Sequence, residues 1–192
     1  MKDNLNYKFK IAESEKEFNL IHRLNYKTFV EEIPQHNENE SGYLIDKFHE
    51  QNIYIISLDG NKLAGMVAVR GQRPFSLDFK IANLDDYLPK DANICEIRLL
   101  SIEKEYRSGF IFYGIAKKLV DYCKKNNYNY AIISGTTRQL KLYEHIGFAP
   151  FYHLVGKENA LYQPMYINID MLESGIGKLL KEETKKRKIK EV

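Results

Sequence analysis

The strand–turn–helix pattern of residues 94–126 constrains the fold of this chain more than any other feature. Residues 94–102 form a mainly apolar run of strand length, and residues 110–126 repeat apolar side chains at the 3.6-residue period of a helix. Arg107 and Gly109 lie between them. The first amides of a helix lack internal acceptors and lie at the positive end of its dipole, so such a turn can bind a diphosphate. Many chains need the same turn only to reverse direction, so the pattern alone leaves both interpretations open.

The remaining patterns predict a mixed α/β domain. A capping box at Ser14 and Glu17 starts the first helix, after a strand at residues 7–12. Asp59-Gly60-Asn61 joins two β-branched runs as an antiparallel hairpin. The other predicted elements are a short helix at 43–49, an edge strand at 75–81, a strand at 130–134, a helix at 136–145 closed by Gly147, and strands at 154–155 and 162–169. We expect one domain at residues 1–170 and a basic tail at 171–192 that is helical or flexible.

Composition excludes several classes of protein. With 44% hydrophobic and 29% charged residues the chain is in the ordinary globular range. No apolar run approaches the roughly 18 to 20 residues of a membrane span, and a polar N-terminus replaces a signal core, so we expect a cytoplasmic protein. Much of the net charge of +3 comes from the tail, so no nucleic-acid partner is expected. The five histidines and two cysteines lack ligand spacing, so no metal is expected, and both cysteines are interpreted as buried thiols.

Three motifs in chain order resemble the GNAT superfamily, the GCN5-related N-acetyltransferases. They are Leu100-Ser101-Ile102, Tyr106-Arg107 before the helix, and Leu142-Tyr-Glu-His-Ile-Gly-Phe148. The resemblance covers about residues 7–169. It implies a GNAT-like α/β fold, with a mixed, mostly antiparallel sheet flanked by helices and a splayed central strand pair. It also implies an N-acyltransferase that moves an acyl group, most simply acetyl, from acetyl-CoA or another acyl-CoA to a small-molecule amine by direct attack.

The resemblance implies roles for individual residues. In the superfamily the strand before the turn contacts pantetheine, the turn binds the pyrophosphate, and a tyrosine near the cofactor sulfur often serves as general acid. Tyr143 takes the acid's place here, although packing beside Phe148 is an alternative interpretation. The donor-binding residues implied in this way are Leu100, Ser101, Ile102, Arg107, Ser108, Gly109, Phe110, Ile111 and Gly114.

Glu96 is the candidate base, because it lies on the strand beside the expected thioester. Arg98 shares its strand face by the two-residue period, so an ion pair is an equally good interpretation. Glu31 and Glu32 are alternative bases or cation-recognising groups, since the first helix and its loop usually line the acceptor site in this superfamily.

The turn departs from the superfamily's pattern. The expected Gly-x-Ala element is present as Gly114-Ile-Ala116, about one helical turn late relative to Arg107, with Phe110-Ile-Phe-Tyr113 as an apparent insertion. Either the diphosphate loop is enlarged, or residues 107–111 form it and the helix starts earlier.

Two further segments, Tyr26–Glu32 and Cys95-Glu96-Ile97, are also similar to N-acyl amino acid synthases and acyl-homoserine lactone synthases. Many of these have arginine three positions after the strand's glutamate, where this chain has Leu99. The alternative functions are therefore a long-chain N-acyl amino acid synthase-like enzyme using acyl carrier protein, and a non-catalytic acyl-CoA-binding module. Acyl carrier protein and a second copy of the chain are further candidate partners. The tail is either solvated or a basic helix that contacts a membrane, an acidic carrier protein or nucleic acid.

Overall fold

The computed structural model describes residues 7–107, 109–157 and 160–190. For residues 157, 160 and 183–190 it describes the backbone and not the side chains. The chain forms two compact units. Unit 1 contains the described residues up to Val69 together with Leu99–Leu119, and unit 2 contains Arg70–Arg98 and the described residues from Val120 onward. The chain therefore passes between the units three times, after residues 69, 98 and 119.

Unit 1 is built on strand β1 (Tyr7–Ile11), helix α1 (Glu15–Tyr26) and strands β2 (Ile53–Asp59) and β3 (Lys62–Arg70). Both halves of the predicted capping box are present at Ser14 and Glu17. A π-helical segment, Lys27–Glu32, continues α1. The strands β1 and β2 pair antiparallel, as do β2 and β3, so the predicted hairpin at Gly60 is confirmed.

The core of unit 1 lies between α1 and this sheet. Ile21 and Leu24 of the helix are buried in a cluster with side chains of β2 and β3. The other buried members are Ala12, Tyr54, Ile56, Leu63, Met66 and Ala68. Each large side chain buried here contributes about 1.5–3 kcal/mol of transfer free energy, which makes this apolar face the main reason why the segment stays helical.

Unit 2 contains most of the remaining elements. Strand β4 (Ile94–Ile102) begins in unit 2 and ends in unit 1, whereas helix α2 (Phe110–Lys125) begins in unit 1 and ends in unit 2. The others are β5 (Tyr130–Thr136), α3 (Leu140–Ile146), β6 (Ala149–Pro150), β7 (Val155–Lys157), β8 (Ala160–Asn168) and α4 (Ile169–Lys190). β8 pairs antiparallel with β5, β6 and β7, and β5 pairs parallel with β4. The predicted α/β class with a mostly antiparallel sheet is confirmed.

Two predicted elements are wrong. Residues 43–49 do not form a helix, and only His49–Gln51 make a 3-10 turn. The Asp46 carboxylate accepts the Phe48 amide at 2.9 Å and the Asn52 side chain at 3.0 Å, so local side-chain bonds replace a helical turn.

The predicted edge strand at 75–81 is instead a pair of 3-10 turns, Ser76–Phe79 and Leu84–Tyr87. The Asp78 carboxylate accepts the Phe75 amide at 2.6 Å, which starts the first turn. Phe75, Leu77, Ile81 and Leu84 are buried in a cluster with Ile132 of β5, so these apolar residues cover the sheet rather than extend it.

Among the described residues, no helix combines the length and apolarity that crossing a bilayer needs. Cys95 and Cys123 are buried free thiols with their Sγ atoms 3.7 Å apart, as the sequence predicts.

Candidate functional site

In unit 1, the turn between β4 and α2 has the backbone that a helix-terminal anion site needs. Lys104–Tyr106 form a 3-10 turn, and Gly109 has a left-handed φ of 83° that suits glycine. The Gly109 carbonyl accepts the Tyr113 amide at 2.9 Å, so α2 starts at Phe110. Of the two alternatives for this turn, the structure has the helix that starts earlier. The amides of residues 110–112 precede the first intrahelical bond and point toward the turn.

Arg107 is held beside this turn by two hydrogen bonds. Its Nε donates to the Ile102 carbonyl at 2.8 Å, and a terminal nitrogen donates to the Glu32 carboxylate at 2.7 Å. Lys104 lies 3.9 Å from the same carboxylate, and Lys27 forms an ion pair with Glu103. Glu32, predicted as a base or cation-recognising group, therefore contacts two cations of the turn.

Tyr106, the other half of the predicted Tyr-Arg pair, anchors the turn to β2. Its hydroxyl donates to the Asp59 carboxylate at 2.8 Å. Burial and this acidic partner raise the pKa of Tyr106 to about 12, so it is a structural hydrogen-bond donor at neutral pH.

The structure places the other predicted donor residues in different surroundings. Ser101 and Ile111 are buried, whereas Leu100 is 38% and Phe110 48% exposed. Gly114 lies inside α2, where a Cβ would be 2.1 Å from the Phe9 ring, so its missing side chain makes room for β1. Ser108 lies outside the described residues. Leu99 has a left-handed φ of 54°, which interrupts the alternation of β4 after Arg98.

In unit 2, the strands β4 and β5 pair over only part of their length. The paired positions run from Ile94 opposite Tyr130 to Glu96 opposite Ile132, and both strands continue beyond them. The parallel strands therefore diverge after Glu96, as the predicted splayed pair requires.

Glu96 lies at the start of this divergence and is fully buried. Its carboxylate accepts the Ser76 amide at 2.9 and 3.1 Å and also the Ser76 hydroxyl. Arg98 donates to it at 3.3 Å, so the ion-pair interpretation is correct in geometry. A carboxylate held in this way keeps a fixed orientation, which suits both the ion pair with Arg98 and the predicted role as a base.

Tyr143 projects from α3 against β5. Its ring lies 3.0 Å from the position that a Cβ of Gly135 would occupy. Burial raises the pKa of Tyr143, and hydrogen bonds from the Thr136 hydroxyl and amide to the phenol oxygen oppose this shift. The phenol is therefore protonated at neutral pH, and its oxygen has donors that stabilise a phenolate. The predicted packing with Phe148 is also present, with ring centroids 6.1 Å apart.

Sequence reasoning missed Ser76 and Lys80, because their segment was interpreted as a strand. Ser76 binds Glu96, and Lys80 Nζ donates to the Ser134 hydroxyl at 3.3 Å. Asp78, three residues after Phe75, is half of a capping box and is the signal that could have identified a helical turn here.

Residues 24–117 match the family profile described as the acetyltransferase (GNAT) domain. No curated protein matches the sequence. A CoA-dependent acyl-homoserine lactone synthase, BjaI, solved with SAM and isopentyl-CoA, is similar at 20% identity and a TM-score of 0.70, over 85% of this chain and 83% of that chain.

Two other solved structures have the same fold. The first is FeeM, an N-acyl amino acid synthase from uncultured soil microbes, at 16% identity and a TM-score of 0.70, over 88% of this chain and 94% of that chain. The second is a putative N-acetyltransferase from Lactobacillus plantarum, at 13% identity and a TM-score of 0.60, over 85% of this chain and 98% of that chain.

Proposed function

We propose, on the premise that this chain is an acyltransferase with the GNAT fold, that it transfers an acyl group from acyl-CoA to a small-molecule amine by direct attack. The observation that carries the proposal is the turn between β4 and α2. Left-handed Gly109 brings the backbone close, and the first amides of a 16-residue helix and Arg107 lie beside it. These are the groups that a diphosphate requires.

The reaction uses Glu96 and Tyr143 in opposite roles. The amine nitrogen attacks the thioester carbonyl, its proton passes through water to Glu96, and backbone amides of the divergent strands stabilise the oxyanion. The carbon–sulfur bond then breaks, and the Tyr143 phenol supplies the proton that the thiolate takes. Glu96 and Tyr143 return to their starting states by exchanging protons with water, so no covalent enzyme intermediate forms.

The other residues proposed to bind the donor lie on either side of the turn. Leu100, Ser101 and Ile102 belong to the strand segment that leads into the turn, and Phe110 and Ile111 start the helix after it. We propose that acetyl-CoA is the first donor to test and that the enzyme acts in the cytoplasm, where acyl-CoA is available.

The diphosphate site is tested with two donors that share the acetylated pantetheine arm. Acetyl-CoA carries the diphosphate, and S-acetylpantetheine does not. We expect Arg107→Ala to raise the KM for acetyl-CoA about tenfold, in line with about 1.5 kcal/mol for a hydrogen bond to a charged group. The KM for S-acetylpantetheine should stay unchanged. Lys16→Ala, an exposed lysine of α1, is the control.

Activity is measured as free-thiol release with a panel of amines, after thermal-shift measurements with CoA and acetyl-CoA. If no CoA thioester stabilises the protein and none releases a free thiol, the proposal is wrong. Stabilisation without release over the whole panel would favour the non-catalytic binding module.

A second candidate, long-chain N-acyl amino acid synthesis from acyl carrier protein, is favoured by the structural similarity to FeeM. The same release measurement with acyl carrier protein thioesters of increasing chain length distinguishes it from transfer from acyl-CoA. A homodimer and the division into a domain and a basic tail remain predictions from the sequence.

A further inference from the structure

An exposed aromatic ring lies directly beside the turn between β4 and α2. Phe110 is the first residue of α2, and its side chain is 48% exposed. It is also the first residue of the segment 110–113, which looks like an insertion in the sequence. Because the helix starts at this early position, an aromatic side chain follows immediately after left-handed Gly109.

Aromatic rings of β1 hold Phe110 in place. The ring centroids of Tyr7 and Phe9 lie 5.7 and 6.2 Å from that of Phe110, at interplanar angles of 41° and 60°. Tyr106 packs edge-on against Tyr7 at 6.1 Å, and its hydroxyl donates to Asp59. All these residues belong to unit 1. The Phe110 ring therefore lies with one side on β1 and exposes the other to solvent, and its position is set by the fold of unit 1.

The Phe110 side chain leans toward the turn. Side chains of an α-helix tilt toward its N-terminus, so a ring at the first helical position lies over the turn that precedes the helix. The amide of the same residue precedes the first intrahelical hydrogen bond, in which Tyr113 donates to Gly109. A ligand group bound by this amide and a ligand group stacked on this ring are therefore neighbours.

A CoA thioester has an aromatic group at a matching place. In CoA only a methylene group and the ribose separate adenine from the diphosphate. Adenine is flat, and it stacks on aromatic side chains through its π-face. A diphosphate at the first amides of α2 therefore puts the adenine within reach of Phe110. The phosphopantetheine arm of a carrier protein has no adenine and gains nothing from this ring.

We propose that Phe110, supported by Tyr7 and Phe9, stacks on the adenine ring of the donor. The inference rests on the proposed acyl transfer and deepens it, because it makes Phe110 a residue that selects CoA thioesters over carrier-protein thioesters. The ring binds the donor at the end remote from the thioester, so it contributes to donor affinity and not to the chemical step.

Two acetyl donors separate stacking from the other donor contacts. Acetyl-CoA carries adenosine, and S-acetylphosphopantetheine ends at its phosphate. We expect Phe110→Leu, which keeps an apolar side chain against β1, to raise the KM for acetyl-CoA about fivefold and to leave kcat within about twofold. The KM for S-acetylphosphopantetheine should change less than about twofold. Phe110→Tyr should keep a KM close to that of the wild type, because it keeps an aromatic ring.

A binding measurement that needs no turnover uses fluorescence. The chain has no tryptophan, so Phe110→Trp introduces a single indole at the site. Adenine stacked on this indole should quench its emission when CoA is added, whereas phosphopantetheine should not. This variant also keeps the test available if Phe110→Leu melts early. Tyr87 is the control position, an aromatic side chain of unit 2 that is 42% exposed. Tyr87→Leu should change neither KM, and the emission of Tyr87→Trp should not respond to CoA.

The outcomes separate this inference from the proposed function. An unchanged KM for acetyl-CoA in Phe110→Leu would overturn the inference while acyl transfer from CoA stands. Equal rises of KM for both donors would also overturn it, since the ring would then support the turn and not the adenine. Equal quenching of Phe110→Trp by CoA and by phosphopantetheine would overturn it as well. Thiol release from neither donor with any amine would overturn the proposed function itself.

Discussion

The surroundings of Tyr143 suit the proton transfer proposed for it. The absence of a side chain at Gly135 allows the ring to approach β5, and Thr136 donates to the phenol oxygen. The hydroxyl contributes about 1 kcal/mol through such bonds, so its removal should hardly change stability. In the proposed reaction, in contrast, the departing thiolate takes the proton of this hydroxyl.

We therefore expect Tyr143→Phe to lower acyl transfer at least tenfold, with a melting temperature close to that of the wild type. Because burial raises the pKa of Tyr143, the phenol stays protonated to a higher pH than a free phenol does. The wild type should therefore lose phenol-dependent activity only in the strongly alkaline range, and Tyr143→Phe should show no such alkaline loss. Turnover measured from pH 7 to 10.5 checks both statements, with exposed Tyr87→Phe as control. Unchanged turnover in Tyr143→Phe would eliminate the acid role.

Glu17 makes a residue-scale contribution to stability that depends on pH. Burial raises the pKa of its carboxyl group, but hydrogen bonds from the amides of Glu13 and Ser14 and from Lys10 outweigh this and lower it to about 2, from 4.5. A lowered folded-state pKa contributes stability above pH 4.5, and that stability is lost as the pH falls toward 2.

Glu17→Gln should accordingly destabilise the protein by about 1 kcal/mol at pH 7, in line with the loss of a helix cap, and the difference from the wild type should shrink between pH 4.5 and 2. Thermal melts over this range measure it. Glu15→Gln, also in the first turn of α1, is the control. A difference that stays constant down to pH 2 would show that the carboxylate charge is not the cause.

At the scale of elements, β1 packs closely against α2 because Gly114 has no side chain. The Phe9 ring occupies the space beside Gly114, and a Cβ there would be 2.1 Å from its nearest atom. Gly114→Ala should cost about 1–3 kcal/mol, because the ring must move. Combining it with Phe9→Leu should recover part of this loss in a double-mutant cycle.

Gly177→Ala in α4 is the matched control, since nothing lies within 4 Å of that position and alanine favours a helix. It should be neutral or stabilising. Additive losses from Phe9→Leu and Gly114→Ala, measured by denaturant unfolding, would show that the two residues are not coupled.

Elements with strong local signals were predictable from the sequence. β4 has its predicted bounds, Ile94–Ile102, because turn-forming residues flank an apolar run, and α1 begins at its capping box. The turns around Ser76 were not predictable from the sequence. Their apolar residues alternate as in a strand but are buried by tertiary contacts with Ile132. Arg107 and Gly109 of the candidate site follow from the motif, whereas Lys80 acquires its neighbours only through the pairing of distant strands.

At the scale of the whole molecule, each unit is assembled from separated parts of the chain. Cutting the chain between residues 98 and 99 leaves neither unit intact. We expect fragments 1–98 and 99–192 to lack a cooperative thermal transition when each is expressed alone, and to regain one when mixed. Far-ultraviolet circular dichroism during heating measures this. A cooperative melt of fragment 1–98 alone would show that residues 99–119 are dispensable for unit 1.

The interleaved chain path has a consequence for synthesis on the ribosome. Unit 1 needs its described residues up to Val69 and also residues 99–119, so its first part must wait until 50 further residues have been added after residue 69. At roughly 5–20 residues per second this wait is about 2.5–10 s. During it, β2 and β3 expose apolar side chains such as Ile55 and Val67, which lie on the sheet face away from the α1 cluster and are buried in the finished protein. The nascent chain therefore passes through a period in which a chaperone that shields apolar strands would raise the yield of folded protein.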